Sequence, residues 1–187
     1  TQDIPEFTVL PGGPGDTQIM TLTATDESGN SSQCSFTLNI IDASVPVPVC
    51  PADTSVYVDN SCTATLPDYT SFVASTDNCS TPANITHVQS PIPGTVINGS
   101  NVVTPILMTA TDESGNSATC TFNMTTIDTM VTIITCPSDT NLAVDNGCSF
   151  TLGDYTAGAV LVDNCEAIGN LTVTQSPAAG TLINAHQ

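Results

Sequence analysis

Eight cysteines and two histidines are the first residues to test for chemistry in this sequence. The cysteines form two series with identical spacing, the second 86 positions after the first, and they are Cys34, Cys50, Cys62, Cys79, Cys120, Cys136, Cys148 and Cys165. The sequence has no Cys-x-x-Cys pair, and His87 and His186 do not recur at this spacing, which disfavours a structural zinc site. We therefore predict disulfide bonds, and with them an oxidising, extracellular location.

Acidic and amide side chains form the second candidate group. The predicted cation ligands are Asp42, Asp77, Asp112, Glu113 and Asn116. In this hypothesis a hairpin turn, a linker and one further loop meet at the same end of a domain. Their oxygen atoms would suit Ca²⁺, which takes six to eight oxygen ligands. The alternative is that these residues only form turns, which favour Asp and Asn for backbone reasons. Calcium is the one candidate cofactor.

Catalysis is not predicted. Neither histidine recurs, and the chain offers no Lys or Arg side chain to stabilise an oxyanion. Carboxylates repeated along an array would also imply one active site per repeat. We predict no catalytic residues and a protein that is not an enzyme.

The charge balance excludes several partners. The sequence has no Lys or Arg and 18 acidic residues, which gives a formal net charge of -18. Nucleic acids and anionic membranes are bound mainly through Lys and Arg, so neither is an expected partner. No stretch approaches the ~18 apolar residues of a membrane-spanning helix, and direct membrane insertion is not predicted.

An internal repeat organises the whole chain. The phrase TATDESGN occurs at 23–30 and again at 109–116, and about half of the aligned positions are identical when the chain is shifted by 86 residues. A fixed period of this kind is typical of repeat architectures. We divide the chain into the second half of one repeat (1–42), a complete repeat (43–128) and the first part of the next (129–187), and we expect a longer array.

Alternating hydrophobicity predicts β-strands. Ile106, Met108 and Ala110 share one face of a predicted strand, and Phe122 and Met124 share one face of the next. The segment 112–116 between them, with Gly115, is typical of a hairpin turn. Several short strands separated by turns predict an all-β fold of the β-sandwich class.

The motifs within one repeat resemble a known family. The complete repeat has Cys-Pro near its start, Asp-Asn-Cys in the middle, Pro-x-x-Gly-Thr, and then TATDESGN-x-x-x-Cys-x-Phe before a closing Asp, and the partial repeats carry the corresponding parts of this series. This order resembles the hyalin repeat (HYR) family, across essentially the whole chain. The resemblance implies tandem immunoglobulin-like β-sandwich repeats of 86 residues forming an elongated rod. The four-cysteine version is similar to repeats of giant SprB-like surface adhesins of gliding Bacteroidetes.

Disulfide pairs follow from the expected strand directions and from this resemblance. Cys50 and Cys120 are both expected in the entry half of the complete repeat, and their bridge matches the two-cysteine pattern of the family. A Cys34–Cys50 bridge is disfavoured, because Cys34 lies about 26 Å down the preceding strand at ~3.3 Å per residue. The remaining predicted bridges are Cys62–Cys79 and Cys148–Cys165. Cys34 and Cys136 are then expected to pair with cysteines outside this sequence.

The function predicted at this stage is structural. We expect an extracellular repeat of a long cell-surface adhesin or filament, of the gliding-motility kind that the resemblance implies. Its expected partners are adjacent repeats of the same chain, and surface polysaccharide or the substratum. The alternative is a binding module appended to a secreted or receptor protein and contacting carbohydrate or protein.

Overall fold

The protein is all-β in the computed structural model, which describes residues 12–184. The strands are β1 (Thr17–Thr25), β2 (Ser31–Asn39), β3 (Val47–Val49), β4 (Thr54–Tyr57), β5 (Thr63–Thr65), β6 (Ala74–Thr76), β7 (Thr86–Ser90), β8 (Val96–Asn98), β9 (Val103–Thr111), β10 (Ser117–Ile127), β11 (Ile133–Thr135), β12 (Ser149–Thr151), β13 (Val160–Val162) and β14 (Leu182–Asn184). Four single-turn 3-10 helices occupy Thr70–Phe72, Pro82–Asn84, Thr156–Gly158 and Ile168–Asn170. Within residues 12–184 no helix is long and apolar enough to cross a membrane.

Most elements recur at the 86-residue spacing of the sequence. Strands β1 and β9 are both nine residues long and start 86 positions apart, and β3, β5, β6 and β8 have counterparts in β11, β12, β13 and β14. Among residues 12–184, strands β4 and β7 have no such counterpart. In the complete repeat, β4 pairs with β10 and β7 pairs with β9. The given part of the next repeat (129–187) contains no residues equivalent to β9 and β10.

The chain folds into two compact units. Of the described residues, the first comprises 12–53, 66–95 and 105–123, and the second comprises 54–65, 96–104 and 124–184. Both units contain part of the 43–128 repeat, so the predicted domain limits at 42/43 and 128/129 stay predictions. One four-stranded sheet has the order β4-β10-β9-β7, and the remaining strands form two-stranded pairs.

In the first unit, β1 and β2 form an antiparallel hairpin, and β3–β6 and β7–β9 are also antiparallel. Ile106, Met108 and Ala110 have no exposed surface, as their alternation on β9 predicted. Phe122 of β10 is buried with them, and the Tyr69 ring packs edge-on against it with ring centroids 5.1 Å apart. Burial of this apolar surface is the main stabilising contribution available to the unit.

The buried Gln89 side chain forms three hydrogen bonds to backbone groups beside this core. The side chain is 2% exposed; its carbonyl accepts a hydrogen bond from the Tyr69 N–H at 2.7 Å, and its amide donates to the carbonyls of Pro67 and Pro91 at 3.0 and 3.1 Å. One buried backbone N–H and two part-buried carbonyls thus receive partners from one side chain. Gln175 makes the same three kinds of bond in the second unit, where it is less buried.

In the second unit, β4 runs parallel to the end of β10, and β5–β8, β11–β13 and β12–β14 are antiparallel. Met124 and Thr126 of β10 have no exposed surface. The buried Thr126 hydroxyl donates to the Gly99 carbonyl at 2.7 Å and accepts from the Val102 N–H at 3.0 Å. Turns also form around Asp59 and Gly99, and Gly99 has a positive φ of 96°.

Candidate functional site: a carboxylate cluster and two disulfides

The hairpin turn between β9 and β10 positions the first carboxylate. The Asp112 N–H donates to the Asn116 carbonyl, and Gly115 adopts the positive φ that such a turn requires. One carboxylate oxygen of Asp112 accepts from the N–H groups of Ser114 and Asn116 at 2.9 and 2.8 Å, and the other accepts from the Asn116 side-chain amide at 2.9 Å. The turn therefore fixes the orientation of an Asp112 side chain that is only 6% exposed.

Asp42, in the segment after β2, contributes the second carboxylate. The Asn116 side-chain amide also donates to the Asp42 carbonyl at 3.2 Å, which ties this segment to the hairpin turn. The Asp42 Oδ1 atom accepts from the Ser44 N–H at 3.0 Å. Its Oδ2 atom is buried and has no hydrogen-bond partner.

Asp77, in the loop after β6, contributes the third. Its Oδ2 atom accepts from the N–H groups of Cys79 and Ser80 at 2.8 and 2.9 Å. Its Oδ1 atom is buried and has no hydrogen-bond partner. The Ser80 hydroxyl accepts from the Glu113 N–H at 3.3 Å, so this loop and the hairpin turn are joined directly.

The three carboxylates converge on one point. One oxygen from each of Asp42, Asp77 and Asp112 lies within 4.8 Å of the others. Glu113, also predicted as a ligand, is exposed and lies outside this group, although it lines an adjoining cavity of about 590 Å³. The fifth predicted residue, Asn116, holds Asp112 and Asp42 through its amide hydrogens.

The local electrostatics are those of concentrated negative charge. Burial opposes ionisation of Asp112, but the hydrogen bonds from Asn116, followed by those from Ser114 and Gly115, together lower its pKa. The Cys79 residue is exposed, yet desolvation of its thiol raises the pKa, and the charges of Asp42, Asp77 and Asp112 raise it further. No Lys or Arg exists anywhere in the sequence to balance these charges.

An equivalent turn between β1 and β2 lacks the cluster. Asp26 occupies the position of Asp112, and it accepts from the Asn30 N–H at 2.8 Å and the Asn30 side-chain amide at 2.9 Å. These bonds lower the Asp26 pKa as well, led by the side-chain bond. Among residues 12–184, only the trio around Asp112 brings three potential metal ligands together. The turn by itself does not create the cluster.

The first disulfide is the one predicted. Cys50 follows β3, Cys120 lies on β10, and they are bonded with a Cα–Cα distance of 5.8 Å. Close to this bond, Asp53 accepts from the Asn123 N–H at 2.7 Å. Strand β10 is thereby held to the start of the complete repeat by a covalent bond and a hydrogen bond.

The second disulfide corrects the sequence prediction. Cys62 is bonded to Cys165, with a Cα–Cα distance of 5.0 Å and 103 residues between them. The predicted bridges Cys62–Cys79 and Cys148–Cys165 are therefore wrong, and Cys79 and Cys148 are free. Cys34 and Cys136 are also unpaired within this chain. The prediction failed because it assumed that each repeat closes its own second bridge.

The loop around Cys165 shows how this bond is positioned. The side-chain amide of Asn164 donates to the Asp59 carbonyl at 3.0 Å, three residues before Cys62. Asp163 accepts from the N–H groups of Cys165 and Glu166, which fixes the loop. The contribution of Asn164 was not predicted, although the recurrence of the Asp-Asn-Cys motif was a usable signal.

No protein-family model matches this chain.

Proposed function

We propose that this chain is a segment of an extracellular structural array, a cell-surface adhesin or filament made of tandem immunoglobulin-like β-sandwich repeats of the HYR type. The observation that carries the proposal is the Cys62–Cys165 disulfide. Cys165 is the counterpart of Cys79 one period later, so the bond joins one copy of the repeat to the next. Disulfides persist in oxidising environments, which supports an extracellular location.

The periodicity extends this linkage to the unpaired cysteines. Cys148 is the counterpart of Cys62, and both adopt the rare left-handed conformation, with φ of 52° and 57°. Asp145 shapes the Cys148 turn by accepting from the N–H groups of Gly147 and Ser149, as Asp59 does around Cys62. The free Cys148 is thus already held in the conformation of its bonded counterpart.

In a continuing array each unpaired cysteine would have a defined partner. Cys148 would bond to the next copy and Cys79 to the previous one, each across 103 residues as in the bond observed here. Cys34 and Cys136 would form the bridge of the Cys50–Cys120 type within their own copies. Every repeat would then be covalently joined to both neighbours, which suits a fibre that carries load.

The charge of the chain suits the same role. With a net charge of -18 and no basic residue, neighbouring fibres repel one another and stay in solution. We propose that the repeats are joined end to end as an elongated rod that presents or forms an adhesive surface. Surface polysaccharide or the substratum is its proposed partner, and a role of the gliding-motility adhesin kind is part of the proposal.

Imaging of live source cells labelled with an antibody against this repeat tests the proposal. We expect surface label on intact cells, and label that travels along the cell, with antibody blocking movement, identifies a motility adhesin. Static surface label supports a passive fibre and rules out the gliding role. Label confined to the cell interior, or to a secreted protein with one or two copies of the repeat, contradicts the array proposal.

A further inference from the structure

The carboxylate cluster contains two buried oxygen atoms that lack a hydrogen-bond partner. The Oδ2 atom of Asp42 and the Oδ1 atom of Asp77 are buried without a hydrogen bond, beside an Asp112 that is itself more than nine-tenths buried. A buried polar atom without a partner is costly, and a buried charge without one is costlier. The other carboxylate oxygen of Asp42 and of Asp77 accepts hydrogen bonds from nearby backbone N–H groups. These two buried atoms are left without such a bond.

No Lys or Arg side chain can supply the missing positive charge, because the sequence contains neither residue. Of its two histidines, His87 is bonded to the Ser75 hydroxyl at 2.8 Å, and His186 lies outside the described residues. Carboxylates at this separation repel one another unless a proton or a bound cation neutralises part of their charge.

We propose that Asp42, Asp77 and Asp112 bind one Ca²⁺ ion. The three converging ligand atoms are all carboxylate oxygens, which hard divalent cations prefer, and no sulfur or nitrogen atom belongs to the group. Ca²⁺–oxygen distances of about 2.3–2.6 Å place opposite ligands roughly 4.6–5.2 Å apart, and the three oxygens lie within 4.8 Å of one another. Ca²⁺ accepts irregular coordination by carboxylates, whereas Mg²⁺ demands near-octahedral geometry and keeps several waters, so Ca²⁺ is the proposed ion.

The remaining ligands would come from the open side of the cluster. The adjoining cavity is lined by Asp42, Ser80 and Glu113, so water and further oxygen atoms have access to the ion. The ion would connect the segment after β2 with the loop after β6 and the turn between β9 and β10. Its binding does not depend on the proposed function, because all three ligands are present in this chain.

Calorimetric titration of the protein with CaCl₂ at neutral pH and physiological salt tests the site. We expect one ion per chain. Asp112→Asn keeps an oxygen acceptor for the turn and removes the charge, and it should weaken binding at least about tenfold, since affinity depends on the number of charged ligands. Asp77→Asn is a second variant of the same kind. Asp26→Asn alters the equivalent turn outside the cluster and should leave the affinity unchanged.

Several results would overturn the proposal. Absence of stoichiometric binding at millimolar Ca²⁺ would mean that the carboxylates are neutralised by protons. Equal weakening by Asp112→Asn and Asp26→Asn would mean diffuse attraction of cations to a polyanion. As a separate readout, Ca²⁺ should raise the melting temperature of the wild type and of Asp26→Asn, and raise that of Asp112→Asn much less. A uniform rise in all three proteins also contradicts a defined site.

Discussion

Replacing both Cys62 and Cys165 by serine should lengthen the protein when it is pulled from its two ends. In the oxidised protein the shortest covalent route between the ends passes through a disulfide and bypasses the residues inside its loop. The two loops overlap, because Cys62 lies between Cys50 and Cys120 while Cys165 lies beyond them. The shortest route therefore uses only one bond, and it uses the one with the longer loop.

The size of the change follows from the two loop lengths. The Cys62–Cys165 bond bypasses 103 residues and the Cys50–Cys120 bond bypasses 70. Without the Cys62–Cys165 bond, the shortest route passes through the Cys50–Cys120 bond, so the difference of 33 residues is added to the extensible chain. At roughly 3.5 Å per extended residue, the contour length of the unfolded chain should increase by about 115 Å.

Single-molecule force spectroscopy with peptide tags at both ends measures this length. The matched control is the Cys50→Ser/Cys120→Ser variant, which should extend as far as the wild type because the longer bypass is intact. If the bonds were Cys62–Cys79 and Cys148–Cys165, the first would lie inside the 50–120 loop, and the whole pattern of lengths would change. Unchanged extension of the Cys62→Ser/Cys165→Ser variant, or a longer control, would refute the proposed route.

Three further predictions concern stability. Met108→Ala, which removes a side chain without exposed surface, should lower the free energy of unfolding by about 2–5 kcal/mol in urea titrations, and a loss below about 1 kcal/mol would contradict its place in the core. Gln89→Ala leaves one buried N–H and two part-buried carbonyls without their partner and should cost about 1–3 kcal/mol, more than Gln175→Ala at its less buried counterpart; equal losses would show that burial does not set the cost. Hydrogen bonds from Thr63 and then from Ser61 lower the Asp59 pKa below 3.8, so its contribution to stability is present above that pH and is lost as the pH falls through the lower folded value. Melting curves between pH 2 and 7 should therefore show Asp59→Asn less stable than wild type at neutral pH, with the gap closing in acid; a constant gap would contradict the assignment.

The strands of the complete repeat could be predicted from the sequence because their burial alternates strictly. Met108, Phe122 and Met124 are all on the buried face, as the period of two requires. The turn at 112–116 could also be predicted, since Gly115 supplies the positive φ that the turn needs. Strand β4 pairs in parallel with β10, and this pairing could not be predicted, because parallel partners are set by long-range packing rather than by a local turn.

The two candidate sites differ in how far local sequence determines them. Asp112 could be placed in its turn by local chemistry, but its convergence with Asp42 and Asp77 depends on contacts between distant segments. The sequence repeat alone could not predict the pairing of the second disulfide. In a chain that repeats every 86 residues, a bond from Cys62 to Cys79 and one from Cys62 to Cys165 occupy equivalent repeat positions, so spacing alone cannot separate a bond within a copy from a bond between copies.

Mass spectrometry of the non-reduced protein tests the central claim most directly. Trypsin has no cleavage site in this chain, so digestion uses a protease specific for acidic residues, after the free thiols have been alkylated. The account predicts one linked peptide pair containing Cys50 and Cys120 and one containing Cys62 and Cys165, with Cys79 and Cys148 alkylated. Linked pairs joining Cys62 to Cys79 and Cys148 to Cys165 would contradict covalent coupling of successive repeats.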